Sequence, residues 1–157
     1  MGVDGRRPRL PKRRGGDRMA YGQDLQGSAR RHFRAASELD KVVSAGAQPG
    51  CRAVAGYLYG LAGELAVKAL MRDSGMAELP VDQRRDDPYY AHFPELATQL
   101  RNTAQGRRSG ELIAIAQSKH FQNWSTNMRY ASTAEVGANG IDTWKASADI
   151  LIQKMDM

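Results

Sequence analysis

The chain has 157 residues, 41% of them hydrophobic and 25% charged, which fits one domain around one core. Its single cysteine, Cys51, excludes an intramolecular disulfide and a cysteine-rich zinc site. The net charge of +6 is uneven: residues 1–18 hold seven basic and two acidic side chains, the remainder sixteen and fifteen.

The basic excess therefore belongs to the amino-terminal segment, with Arg6, Arg7, Arg9, Lys12, Arg13, Arg14 and Arg18. An Arg-rich stretch containing Pro and Gly cannot bury apolar surface, so residues 1–18 are expected to form a disordered basic tail. No apolar run follows them, so they do not read as a secretion signal. Met19 offers an alternative start, which would make residues 1–18 upstream sequence outside the native protein. Residues 19–157 are expected to form a single all-helical bundle of about five helices. The longest uncharged central stretch, Ala53 to Gly63, falls well short of the roughly 18–20 apolar residues of a membrane span, and a cytoplasmic protein is expected.

Leu25, Ala29, Phe33, Ala36, Leu39 and Val43 recur at three- and four-residue steps, one face of a first helix that Gly46, Pro49 and Gly50 end. A second helix is predicted from about Cys51 to Asp73, with Val54, Leu58, Leu61, Leu65, Ala69 and Leu70 as its stripe. It is apolar on most faces, the mark of a central helix. Gly56, Gly60 and Gly63 form a smooth strip along it. Each costs about 0.5–1 kcal/mol relative to alanine inside a helix, so close approach by another backbone, from this chain or a second subunit, is expected to offset them.

Residues 74–91 read as a long irregular connection, functional or mobile, with Gly75, Pro80 and Pro88 as breakers. A third helix opens at Phe93-Pro94, since proline suits the first helical position, and Gly106 stops it. Ser109 caps a fourth helix from Gly110 to about Asn127, with Ile113, Ala116, His120 and Trp124 on one side. Ala131–Gly140 reads as loop, and a final helix runs from about Ile141 to Met155.

No Gly-rich phosphate loop, His-x-x-x-His pair, metal-ligand cluster or Gly-x-Ser-x-Gly elbow is present, and no cofactor or metal is implied. Glu64 and Lys68, four residues apart, read as a surface ion pair. If Glu64 points inward it needs a cation, for which Arg129 is a candidate. His120 reads as a core histidine with one hydrogen bond. Tyr89 and Tyr90 beside Arg84 and Arg85 would either stack on nucleotides or pin their loop to the bundle.

Four segments together resemble the HEPN superfamily of small helical bundles. They are Ala35-Ala36; Ala55-Gly56-Tyr57 through Glu64-Leu65-Ala66-Val67-Lys68-Ala69-Leu70; Ala91-His92-Phe93-Pro94-Glu95-Leu96; and Trp124 leading to Arg129-Tyr130. The likeness spans roughly residues 25–155. It implies a homodimer working with an RNA or protein partner in a mobile-element, toxin–antitoxin or stress context. Active members carry an Arg followed, after four to six residues, by a His, and cleave RNA without a metal. Arg85 and His92, with six residues between them, meet that spacing; His32 and His120 do not. A His can move a proton near neutral pH while an Arg holds a phosphate and its developing charge. Arg85 sits in the polar loop rather than in a helix, however. The sequence thus favours a non-catalytic HEPN-like protein that binds a partner or nucleic acid. The alternatives are a metal-independent endoribonuclease using Arg85 and His92, and a structural oligomer built on the glycine strip.

Overall fold

Helical periodicity from residue 25 onward becomes a bundle in the computed structural model, which describes residues 22–157. The basic segment 1–18 lies outside the described residues. Among those residues there are six α-helices and no strand: α1 Leu25–Asp40, α2 Gly50–Asp73, α3 Glu95–Thr103, α4 Ser109–Gln117, α5 Thr133–Ala138 and α6 Ile141–Lys154. The Asp24 carboxylate accepts from the Gly27 amide at 2.9 Å and caps α1. Helix α2 is the axis of the bundle, packing on α1 and α6 and touching α4 and α5. Its thirteen buried residues explain why it is apolar on most faces.

The glycine strip is occupied, but by aromatic rings rather than by a backbone. A methyl group at Gly60 would meet the Trp124 indole at 1.9 Å, and one at Gly63 would meet the Phe121 ring at 2.1 Å. Gly56 lies under Ile141 and Trp144 of α6. Trp124 Nε1–H also donates to the Gly56 carbonyl at 3.2 Å, fixing the indole on the strip. All three positions are covered within the chain, so the strip offers no surface to a second subunit.

The same rings end α4 early. The expected helix to Asn127 stops at Gln117, where Ser118 turns to extended backbone and its hydroxyl donates to the Ala114 carbonyl at 2.8 Å. Phe121 and Asn123 then take positive φ, 55° and 65°. A non-glycine residue held there costs about 1–3 kcal/mol. Complete burial of Phe121 and Trp124 returns about 2–3 kcal/mol or more for each ring, enough to hold the turn.

Other boundaries also move. Pro94 stands just before α3 rather than inside it, and Arg108 rather than Ser109 precedes α4. The stretch read as loop after Ala131 contains α5, because the Ser132 hydroxyl accepts from the Glu135 amide at 3.2 Å and Val136 is buried. Val43 and Val54, assigned to apolar stripes, are 90% and 51% exposed. Val43 follows the end of α1, and Val54 lies on the side of α2 that its neighbours leave open.

Candidate functional site

Glu64 and Lys68 lie one turn apart on α2, among alanines and leucines, with only 6% and 9% of their side chains exposed. Two opposite charges there need each other, because an unpaired one would be stranded away from water. The Lys68 ammonium donates to Glu64 Oε1 at 2.7 Å, so this is a buried pair and not the expected surface one. Arg129 is not the partner of Glu64. It lies exposed, with its guanidinium 4.9 Å from the centre of the Tyr130 ring.

Glu64 has a second partner. His92 Nδ1 stands 2.8 and 3.1 Å from its two carboxylate oxygens. The His92 side chain is 55% exposed, so a buried carboxylate holds a ring that reaches the surface. A carboxylate at Nδ1 takes that nitrogen's proton in hydrogen bonding. The neutral ring then offers Nε2 as a base, and the protonated ring offers Nε2–H as an acid.

The connection between α2 and α3 delivers His92. Residues Val81–Asp86 and Pro88–Tyr90 form short 3-10 helices instead of an irregular loop. Asp87 organises them: buried, it accepts from the backbone amides of Leu79 at 2.8 Å and Tyr89 at 2.9 Å. The Tyr89 hydroxyl donates to the Met76 carbonyl at 2.7 Å, so Tyr89 pins the connection to the end of α2. Gln99 of α3 donates to the Arg85 carbonyl at 3.1 Å. The Arg84 guanidinium lies 4.6 Å from the centre of the Tyr90 ring.

Arg85 and His92 consequently line one open cleft of about 420 Å³, closed on its far side by Ser125 and Thr126. Arg85 is exposed there, and Tyr90 borders the same space. The cleft can present a cation and a proton-transfer group to an anionic ligand. Sequence reading had the Arg85–His92 spacing but missed Glu64 as the orienting group. The available signal was a carboxylate in a stretch where every neighbouring α2 position except Lys68 is uncharged. Among the described residues no group of three His, Cys, Asp or Glu side chains stands together as metal ligands would.

His120, in the segment that follows α4, is half-buried, with Nδ1 3.0 Å from the Ser147 hydroxyl. Burial and the nearby Lys154 charge hold its ring below the ordinary histidine range. The unfolded chain therefore takes up this proton first as pH falls from about 6.5, and the resulting stability is lost as pH falls through the folded value. His120→Gln should flatten the decline in melting temperature between pH 7 and pH 5. An unchanged slope would remove this role.

Comparison with family models, with curated proteins and with solved structures found no match to this chain.

Proposed function

We propose that this chain is a HEPN-like helical protein that engages RNA at the His92 cleft and cleaves it without a metal. The observation that carries the reading is His92 held on the buried Glu64 carboxylate while sharing its open cleft with Arg85. In this reading His92 Nε2 removes the proton of a ribose 2′-hydroxyl, whose oxygen attacks the adjacent phosphorus and expels the 5′-oxygen of the next nucleotide. Arg85 holds the charge that develops on the phosphate. The dimer implied by the family resemblance would bring a second copy's His92 to protonate the leaving oxygen. Since the glycine strip is covered, that dimer rests on the resemblance, and a mass by light scattering decides it.

A mixed RNA pool incubated with purified protein and chelator tests the reading. Wild type should cut it; His92→Gln should lose about 10²–10⁴ of the rate, and Arg85→Ala about 10²–10³. RNA bound but left intact would reduce the protein to a non-catalytic RNA-binding module. No binding and no cleavage would end both readings.

A further inference from the structure

A second depression, of about 690 Å³, adjoins the His92 cleft. The two share Phe93, Pro94 and Ser125 in their linings, so they meet over the start of α3 and form one trough. One wall is Pro94 with the face of α3 that follows it, carrying Ala97, Thr98 and Arg101; the other is the segment that follows α4. The charged residues lining the trough are Arg85, Glu95, Arg101 and Lys119, three basic and one acidic, with His92 and His120 besides. The body of the protein is nearly neutral, so this excess of positive charge is local.

Arg101 is set for binding in advance. Its Nε and Nη2 both donate to the Ala116 carbonyl, at 3.3 and 3.2 Å, which fixes the guanidinium across the gap between α3 and the end of α4. A planar fork held by two of its five N–H groups keeps the others for an anion and loses little freedom on binding. Lys119 is exposed on the opposite wall, and the Ser118, Asn123 and Ser125 side chains add neutral hydrogen-bonding groups between the cations. From Pro94 to Arg101 the helix rises about 10 Å, roughly three steps of a stacked strand at about 3.4 Å each. The rings along the floor, Phe93, Phe121 and Trp124, are buried and give bases no platform.

We propose that the trough beyond His92 is a phosphate track, in which Arg101 and Lys119 hold the backbone of a single-stranded nucleic acid flanking the nucleotide at the His92 cleft. The inference rests on the RNA reading above but predicts something separate, a binding site longer than the reacting position. Fluorescence anisotropy with a labelled 2′-deoxy decanucleotide and with a labelled dinucleotide tests it without depending on cleavage. Wild type should bind the decanucleotide at least about tenfold tighter than the dinucleotide, with an affinity that falls steeply with salt. Arg101→Gln with Lys119→Gln should remove most of that advantage, lower the salt slope by about 1.4, and leave dinucleotide binding unchanged. Equal affinity for the two lengths, an unchanged salt slope in the double variant, or no decanucleotide binding would each overturn the track. The first two results leave the His92 reading standing. Wild type that binds the decanucleotide in this way yet leaves RNA uncut would overturn the chemistry alone. A circular dichroism melt of the double variant, whose changed side chains are exposed, separates lost binding from lost fold.

Discussion

Gly60→Ala is expected to destabilise the protein by about 2–3 kcal/mol, although alanine is the better helix former by about 1 kcal/mol. The added methyl would sit 1.9 and 2.0 Å from Trp124 Cε2 and Nε1, well inside contact distance. The indole cannot step aside: it is buried, stacked at 5.8 Å on Tyr57, and tied by Nε1–H to the Gly56 carbonyl. Gly63→Ala should behave alike, since the Phe121 ring lies 2.1 Å from the added carbon and packs on Phe93 at 5.0 Å. Gly56→Ala is the control. Its nearest neighbours, Ile141 and Trp144, lie at 3.0–3.1 Å, so they need give only a few tenths of an ångström, and the gain in helix propensity offsets part of that smaller cost. Urea denaturation should place Gly56→Ala within about 0.5 kcal/mol of wild type and the other two well below. Equal losses at all three positions would mean that the rings are not what the strip accommodates.

That graded series shows what kind of information the sequence held. Three glycines at helical spacing announce a close approach, because their helix cost needs an offset, and this much was readable. The approaching group was not, since Phe121 and Trp124 lie in a segment whose helical pattern continues past Ser118. The pattern is local, whereas the turn at Phe121 is held by burial against a helix about sixty residues earlier in the chain. Helix α5 was missed for the opposite reason: one capping serine and one buried valine are too small a signal for a periodicity argument. At the candidate site, Arg85 and His92 could be paired by spacing, but their placement depends on Asp87. Its carboxylate is spent on two backbone amides, and a polar run rich in Asp and Arg reads as solvated loop. The Glu64–His92 contact joins residues 28 apart and leaves no local trace beyond an isolated charge pair on an apolar helix.

The Lys68–Glu64–His92 chain separates stability from function in one set of variants. Lys68→Met removes the ammonium that neutralises a carboxylate only 6% exposed, and breaking a buried pair costs about 3–5 kcal/mol because the remaining charge is stranded. His92 still touches Glu64, so the loss should fall near the lower end of that range. Glu64→Leu leaves Lys68 stranded instead and should cost a similar amount. Removing both charges together, Glu64→Leu with Lys68→Met, takes away the uncompensated ion and should return stability to within about 1–2 kcal/mol of wild type. His92 is exposed enough for water to replace the lost contact at Nδ1, so the double variant should fold with the cleft in place. It should nonetheless cut RNA as poorly as His92→Gln, because nothing then fixes the ring's tautomer or its direction toward the cleft. Thermal melts and cleavage rates on wild type and these four variants give the answer. A double variant that is stable and fully active would show that Glu64 serves only to balance Lys68, and His92 would lose its claim to an oriented role.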